Sequence, residues 1–379
     1  MQHIIISPNA FKHSLTADEA AQAISTGLKN SKLKCKTTLF PIGDGGDGTC
    51  RLIHEKLRGQ LKHVNVSDPL GRKIKTSYSL INKGKTAVIE MADASGIHLL
   101  KSEERNPLKA TSIGTGELLL HALDQGVRQF IIGMGGSATV DGGCGILYAL
   151  GVKFLDRKKN ELKPIPNELK HMEYVDISGL DERLKYCEIK ILCDVDNFLL
   201  GDQGAAAIFG PQKGASEKDV KTLDQFLQKF NAIVKGNIDK DMTTLVSGGT
   251  AGGAAASMHA FANAELVNGI NYFLKITHFE NEIKKADWLI TGEGSLDEQT
   301  LSGKGPYGVA ILAKKQHIRT IAFAGKIPLN PSKELLDLFP ILVPINNEAV
   351  SLENALKNTR KNLQRTAEMI GNIIALYAE

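Results

Sequence analysis

The chain has 379 residues, 42% of them hydrophobic and 23% charged, which is enough for two globular domains with buried cores. A formal net charge of +4 is small for this length and argues against a nucleic-acid-binding protein. The five cysteines are odd in number, widely spaced and without a C-x-x-C pair, so they indicate neither a disulfide framework nor a zinc site and favour a reducing compartment. Because the first apolar run is only three isoleucines, we expect a cytoplasmic protein without a membrane partner.

Strand-like and helical patterns alternate at both ends of the chain, which is typical of an α/β fold. The first half is predicted to contain a strand at 4–7, a helix from the capping box Thr16-Ala17-Asp18-Glu19 to about residue 28, a strand at 36–42 and a helix at 49–57. An antiparallel meander with strands at 64–66, 73–80 and 86–91 follows, then a helix at 116–123, a strand at 129–132 and a helix at 141–150.

The second half returns to strand and helix alternation. The predicted elements are a strand at 189–193, helices at 217–234 and 251–261, strands at 288–291 and 320–324, and a helix from Leu352 that docks on the body. We therefore predict one discontinuous doubly wound domain, 1–62 plus 287–379, with a mixed α/β domain, 63–286, inserted into it. The strand at 129 fits either domain.

Four glycine-rich segments follow short apolar runs, at 43–49, 133–139, 247–253 and 291–300. Glycine lets backbone N–H groups approach an anion closely, and a helix that starts after such a turn adds the positive end of its dipole. The pattern predicts a protein that binds phosphate. The string G-x-x-x-x-G-K-[ST] is missing, which argues against a P-loop NTPase.

A second nucleotide fold matches in part. Gly133-x-Gly135-x-x-Ala138 follows a predicted strand, and Asp156 ends the run 152–155, as in a dinucleotide fingerprint. This pattern keeps a NAD-dependent hydroxy-acid dehydrogenase open as an alternative function.

Acidic residues lie at the ends of several predicted strands. Asp194 and Asp196 are two apart on an extended segment and point to the same side, which suits Mg²⁺ binding or deprotonation of a hydroxyl group. A structural role remains open, because one of them can cap the turn at Asn197. Asp44 and Asp47 precede a helix, where capping and metal binding are both open.

Other charged residues lie in loops. Glu293 and Asp297 share a glycine-rich segment, and Lys304 follows it. Lys12 and Arg72 are placed to grip a carboxylate or phosphate oxygen, although solvated loop residues would have the same pattern.

Seven collinear motifs together resemble the bacterial type I glycerate kinase family across essentially the whole chain. They are Ser7-Pro8-Asn9-Ala10-Phe11-Lys12, the segment from Pro41 to Thr49, Glu104-Arg105-Asn106-Pro107, the segment from Gly133 to Asp141, Cys193-Asp194-Val195-Asp196-Asn197, Phe209-Gly210-Pro211-Gln212-Lys213-Gly214-Ala215 and the segment from Thr291 to Thr300.

The resemblance implies ATP-dependent phosphorylation of D-glycerate, usually at the 2-hydroxyl, which gives 2-phosphoglycerate and ADP. It also implies a flavodoxin-like domain and a second α/β domain, with the active site in the cleft between them. Glycerate and ATP are then the partners, Mg²⁺ is a cofactor, and a homodimer stays open.

The resemblance also assigns roles to the residues singled out above. Glycine-rich turns hold ATP phosphates, Mg²⁺ bridges them to carboxylates, and a basic residue grips the glycerate carboxylate. Neither resemblance nor spacing settles which carboxylate is the base, and we select Asp194. The assigned residues are Asp194, Lys12 and Lys304 as catalytic, Arg72, Asp44 and Asp196 as substrate-binding, Gly135, Gly136, Ser137, Thr139, Gly292, Glu293 and Gly294 as cofactor-binding, and Asp47 and Asp297 as metal-binding.

The chain departs from the family pattern at several positions. Asn9 and Ala10 replace the usual Asp and Ser, His13 and Asp47 replace Glu, Val140 replaces Asn, and Ser295 replaces Arg. The departures at Asn9, Ala10, Val140 and Ser295, two of which remove a charged group, keep a third function open, a catalytically impaired homologue that binds glycerate or nucleotide as a regulator.

Overall fold

The computed structural model describes residues 1–377, apart from the side chains at positions 299 and 302. The strands are β1 Gln2–Pro8, β2 Cys35–Leu39, β3 Gln60–Ser67, β4 Lys73–Ile81, β5 Thr86–Glu90, β6 Gln129–Gly133, β7 Lys153–Leu155, β8 Tyr174–Asp176, β9 Glu188–Cys193, β10 Glu265–Asn268, β11 Trp288–Ser295, β12 Arg319–Lys326 and β13 Ile341–Pro344. The α-helices are α1 Ala17–Asn30, α2 Thr49–Lys56, α3 Ala92–Ser95, α4 Ile113–Asp124, α5 Cys144–Ala149, α6 Pro166–Leu169, α7 Ala205–Phe209, α8 Glu217–Ile238, α9 Ala254–Ala262, α10 Gly269–Ile276, α11 Phe279–Ile283, α12 Gly305–Lys315, α13 Lys333–Leu338 and α14 Leu352–Leu376.

The chain divides into two compact units. The first unit is Met1–Asp44 with Ile270–Glu379, and the second unit is Gly45–Gly269. The strand at 129, which the sequence left between domains, lies in the second unit as β6. The domain assignment 1–62 plus 287–379 and 63–286 stays a prediction, with limits that differ from those of the compact units.

The first unit contains a five-stranded parallel sheet in the order β13-β12-β11-β1-β2. Counted within the unit, this is the order 2-1-3-4-5 of doubly wound flavodoxin-like sheets. The order reverses between β1 and β11, and ligands of such sheets bind beside the carboxyl ends of the strands at that position. The predicted discontinuous flavodoxin-like sheet is confirmed.

Helices α1 and α14 cover one face of this sheet. The predicted capping box is present, because Thr16 and Glu19 each accept from the other's backbone N–H. A Cβ at Gly27 would lie 2.1 Å from the Gln364 carbonyl oxygen, so a glycine there lets α1 and α14 approach closely. Leu363, Ala367, Ile370 and Ile374 of α14 are buried against the core, which confirms the docked C-terminal helix. Among the residues the structure describes, no helix is both long and apolar enough to cross a membrane.

The second unit contains a six-stranded mixed sheet in the order β10-β9-β6-β5-β4-β3. Strands β3, β4 and β5 form the predicted antiparallel meander, whereas β5, β6, β9 and β10 run parallel. All five residues of β5 are buried, as expected for a central strand of a sheet covered on both faces.

The partial dinucleotide fingerprint is not met by the fold. Strand β7, which contains the run before Asp156, pairs antiparallel with β8 in a separate two-stranded sheet. A dinucleotide fold requires that strand to join the parallel sheet beside the glycine-rich turn. Asp156 instead caps its own turn by accepting from the backbone N–H groups of Lys158 and Asn160.

Candidate active site

In the first unit, β1 and β11 are neighbouring strands, and the strand order reverses between them. The loops that follow the two strands therefore start close together. The Asn9 N–H donates to the Gly292 carbonyl oxygen at 2.8 Å, and Pro8 pairs with Gly292 in the sheet. The segments 9–12 and 292–297 therefore start at neighbouring positions. These segments hold Lys12, Gly292, Glu293, Gly294 and Asp297 of the predicted site.

Asn9 and Asp44 form a buried pair in this unit. Asn9 Nδ2 donates to Asp44 Oδ2 at 2.7 Å, and Asn9 Oδ1 accepts from the Ala10 N–H at 2.9 Å. Both residues are buried. A carboxylate at position 9 would face a second carboxylate at this distance, so the amide of Asn9 supplies Asp44 with a neutral donor. This departure from the family pattern thus completes a polar pair.

Glu293 is a buried acid at the carboxyl end of β11. Its side chain is 8% exposed and Oε1 accepts from Thr300 Oγ1 at 3.2 Å. Burial raises the pKa of Glu293 to about 7, and Asp44 adds to this effect, whereas Lys304 and Lys12 oppose it. A carboxyl group with a pKa near neutrality can hold or release a proton at working pH.

The start of α12 lies against the same group of residues. Lys304 is the residue before α12, Pro306 stands in its first turn, and a Cβ at Gly305 would lie 2.9 Å from Asn9 Nδ2. A Cβ at Gly294 would lie 3.7 Å from the Lys12 backbone nitrogen. The first unit therefore gathers Lys12, Asp44, Glu293 and Lys304 near one helix N-terminus.

In the second unit, three parallel strands end in register. Glu90 of β5 pairs with Gly133 of β6, which pairs with Leu192 of β9. The glycine-rich segment 133–139 follows β6, and Asp194 and Asp196 follow β9. Both acids follow the carboxyl end of β9, as the sequence predicts, and β9 neighbours the strand that leads into the glycine-rich segment. Asp194 is half-buried and Asp196 is exposed.

Two glycine-rich turns pack against each other in this unit. The Gly135 N–H donates to the Gly45 carbonyl oxygen at 3.3 Å, and a Cβ at Gly135 would lie 2.6 Å from the Asp47 backbone nitrogen. The close approach of two backbones explains why position 135 needs glycine. Asp47 lies next to the turn, with its Cγ 3.4 Å from the position of a Cβ at Gly136.

The turn at 135–137 has backbone donors to offer. In the described part of the chain, the N–H groups of Gly136 and Ser137 make no hydrogen bond to the protein. Gly136 is exposed and has a φ of +68°, a conformation that glycine adopts readily. Successive unpaired N–H groups in a turn are suited to an anion such as phosphate. Thr139 is buried, and its Oγ1 has no partner among the described residues.

Lys213 is the main residue that the sequence analysis missed. Its side chain is 4% exposed, and Nζ donates to Ser137 Oγ at 2.8 Å and to the Thr139 carbonyl oxygen at 2.7 Å. Burial lowers the pKa of Lys213 to about 7, and Asp141 opposes this shift. Lys213 belongs to the motif 209–215, so the signal was present, but nothing in its spacing linked it to the turn.

Glu90 is a second missed residue. Glu90 Oε2 accepts from the Cys50 N–H at 2.9 Å, whereas the buried Oε1 has no partner among the described residues. Burial raises the pKa of Glu90 well above its usual value, and the charges of Asp93 and Asp47 raise it further. Its position as an acid ending a buried strand was visible in the sequence.

Arg72 lies in the second unit, in the turn between β3 and β4. Its guanidinium donates to Asp68 Oδ2 at 2.5 Å and to Glu104 Oε1 at 2.7 Å, and its side chain is 49% exposed. These two carboxylates raise the pKa of Arg72. Because it is already paired, Arg72 can bind a ligand carboxylate only through donors that remain or after exchange of a partner.

The predicted metal ligands lie in different units, Asp47 in the second and Asp297 in the first. Among the described residues, no group of three or more His, Cys, Asp or Glu side chains is arranged to hold a metal ion. Mg²⁺ at a nucleotide commonly takes one or two protein carboxylates and completes its shell with phosphate oxygens and water. The carboxylate chemistry at both positions fits that requirement.

The comparisons with known proteins identify one family, and each match covers nearly all of this chain. The model of the glycerate kinase family matches residues 4–375. The chain is 41% identical to the Escherichia coli protein named glycerate 2-kinase and 40% identical to the Bacillus subtilis glycerate kinase, with 98% of each chain covered in both comparisons. A crystal structure assigned provisionally as glycerate kinase 2 from Salmonella typhimurium LT2 is 39% identical, with a TM-score of 0.81, and covers 100% of this chain and 99% of that one.

These matches span both units and every motif on which the sequence-based resemblance rested. The α/β fold and the kinase class follow from them, because relatives at this identity and coverage share fold and reaction class. The chain belongs to the glycerate kinase family.

Proposed function

We propose that the protein transfers the γ-phosphoryl group of ATP to the 2-hydroxyl of D-glycerate, which gives 2-phosphoglycerate and ADP. The observation that carries this proposal is its full-length likeness to the Escherichia coli protein named glycerate 2-kinase. The unpaired N–H groups in the turn at 135–137 support it, because phosphoryl transfer depends on donors that hold and neutralise phosphate oxygens. ATP, Mg²⁺, the 2-position and a cytoplasmic location belong to the proposal.

The proposed roles follow the site residues. Gly135, Gly136, Ser137 and Thr139 bind the phosphate chain, together with Gly292, Glu293 and Gly294. Asp47 and Asp297 hold Mg²⁺, which neutralises charge on the phosphates when bound. Arg72, Asp44 and Asp196 bind glycerate, and Lys12 and Lys304 stabilise the charge of the transferred group.

Asp194 is proposed as the group that accepts the proton of the glycerate hydroxyl. It is half-buried at the carboxyl end of β9, so it is sheltered and still reachable by a small substrate. Burial raises the pKa of the neighbouring Cys193 thiol to about 11, helped by the charges of Asp194 and Asp196, so this thiol does not compete as a base.

Glu293 is a second candidate base because its pKa is about 7. Replacing the true base by its amide lowers kcat by roughly 10²-fold to 10⁴-fold and leaves KM for glycerate nearly unchanged. We expect that result for Asp194→Asn. A loss of this size in Glu293→Gln with an active Asp194→Asn would reassign the base to Glu293.

The reaction is tested by mixing the purified protein with Mg·ATP and D-glycerate, following ADP release, and identifying the product by NMR. Glycerate-dependent ADP release and a 2-phosphorylated product are expected. A 3-phosphorylated product would refute the assigned position, and no ADP release would refute the kinase reaction in this chain.

A ligand-binding homologue without turnover is the second candidate function, motivated by Asn9 and Ser295. Its signature is thermal stabilisation by glycerate or ATP without ADP release. The buried pair of Asn9 and Asp44 weighs against it, because this departure leaves no buried polar group of the pair without a partner.

A further inference from the structure

Among the residues that the structure describes, the partners of the buried Lys213 side chain are a hydroxyl and a carbonyl group, and no carboxylate forms an ion pair with it. The ionisable group that acts on it is Asp141. The Asp141 carboxylate is occupied by other donors, the Ser112 N–H at 2.8 Å, the Ser112 hydroxyl at 2.7 Å and the N–H groups of Gly143 and Gly145. An uncompensated buried charge is costly, so a buried lysine either loses its proton or keeps it beside an anionic partner.

The contacts of Lys213 connect it to the turn that the proposed function assigns to phosphate. Its two hydrogen bonds fix the Ser137 hydroxyl and the Thr139 carbonyl group, on either side of Ala138. An ammonium group has three N–H donors, so one donor remains beyond these two. The unpaired N–H groups of Gly136 and Ser137 lie in the same turn.

A separate close contact fixes the backbone next to Lys213. The next residue, Gly214, has a φ of +95°, and a Cβ there would lie 2.4 Å from the Arg105 carbonyl oxygen. Only glycine fits this position without strain. The segment 211–214 is thereby held against the motif around Arg105, which keeps the Lys213 backbone in place while its side chain spans to the turn.

We propose that Lys213 is the positioning residue of the phosphate-binding turn, and that a bound polyphosphate keeps its ammonium group protonated, so that nucleotide binding takes up a proton. This inference rests on the proposed function, because it takes the segment 133–139 as the polyphosphate site. Without a ligand, Lys213 loses its proton near pH 7 because of burial. A phosphate chain nearby favours the charged form and reverses that loss.

The inference is tested by titrating Mg·ADP into the wild-type protein by calorimetry at pH 8, in buffers of different ionisation enthalpy. ADP is fully deprotonated at this pH, since its last phosphate pKa is about 6. With a pKa near 7 in the free protein, Lys213 should take up about 0.9 proton per ADP bound. In addition, Kd for ADP should rise about tenfold per pH unit above pH 8.

Two variants separate Lys213 from other groups. Lys213→Met should bind ADP about tenfold to a hundredfold more weakly and take up no proton, because it loses a charge-assisted donor. Lys218→Met, at an exposed position in the first turn of α8, should behave as the wild type. Proton uptake that persists in Lys213→Met would come from another group and overturn the inference.

The measurement on the wild-type protein tests the inference by itself, even if Lys213→Met does not fold. ADP binding without proton uptake, or a Kd that is flat with pH, would overturn this inference and leave the kinase reaction intact. Failure of ADP to bind at all would overturn both proposals.

Discussion

Glu293 in the first unit and Lys213 in the second are both buried beside a glycine-rich segment, but their charged forms have opposite signs. Burial raises the pKa of Glu293 to about 7 and lowers the pKa of Lys213 to about 7. The same physical cause therefore brings an acid and a base to the same pH range, because loss of water disfavours whichever form is charged.

The two groups differ in the charges of the residues around them. Glu293 has Lys304 and Lys12 acting on it, which favour its charged form, and Asp44, which does not. Lys213 has hydrogen-bond acceptors rather than an ion-pair partner. The first unit thus holds an acid whose neighbours carry charges of both signs, whereas the second holds an amine whose protonated form is suited to an added anion. The two should give opposite dependences of stability on pH.

Lys213→Met should give the largest change. Because the folded pKa lies below the unfolded value of about 10.4, the unfolded chain binds more protons between pH 7 and pH 10, and this group makes the protein more stable as pH rises. The free energy of unfolding of the wild type minus that of the variant should increase by about 4 kcal/mol across this range. Urea unfolding at several pH values measures it, with Lys218→Met as the control. Parallel pH curves would contradict burial of the charge.

Glu293→Gln should give a change of opposite sign in a lower pH range. Its folded pKa is raised, so its contribution is fully present below pH 4.5 and is lost as pH rises through 7. The amide cannot ionise, so the variant should gain about 3 kcal/mol in the free energy of unfolding relative to wild type between pH 4.5 and pH 8. Glu348→Gln, at an exposed residue of the same unit, should show no such trend. A gain that does not depend on pH would refute the assignment.

Gly135→Ala tests the glycine-rich turn beside which Lys213 is buried. A Cβ there would lie 2.6 Å from the backbone at Gly46 and Asp47, so one of the two turns must move. We expect a loss of about 2 kcal/mol in the free energy of unfolding and weaker ADP binding. Urea unfolding and calorimetry measure these effects. Unchanged ADP affinity would separate the turn from the nucleotide site.

Gly236→Ala is the matched substitution with the smallest effect. Gly236 lies in α8 of the same unit, and a Cβ there would have no atom within 4 Å. Alanine has the higher helix propensity, so the free energy of unfolding should rise by about 0.5–1 kcal/mol, with ADP binding unchanged. A loss of stability or of ADP binding would show that Gly135→Ala cannot be interpreted through local packing.

Elements with strong local signals were predictable from the sequence. The capping box at Thr16, the meander of β3 to β5 and the C-terminal helix all appear, and the predicted strands and helices end within four residues of the observed ones. Short elements such as β10 and β13 were missed, because four residues carry too little periodicity to be recognised.

The site was only partly predictable for a related reason. Asp194 and Gly135 stand at strand ends, where parallel strands of one sheet bring their loops together. Lys213 lies 74 residues from Thr139 in sequence, and Glu90 lies 40 residues from Cys50, so their contacts depend on how distant segments pack. The false dinucleotide fingerprint failed in the same way, because strand pairing and not local spacing put β7 outside the main sheet.

The amino-acid order by itself determined the α/β alternation, the helix starts, the positions of the glycine-rich turns and the family, because these depend on local chemistry and on collinear motifs. The tertiary structure decided the strand order 2-1-3-4-5, the pairing of Asn9 with Asp44 and the burial of Glu293 and Lys213. The pKa values of these two groups depend on the water that surrounding chain segments exclude. A local sequence pattern does not determine how much water is excluded from a side chain, because the atoms that exclude it belong to residues far away in sequence.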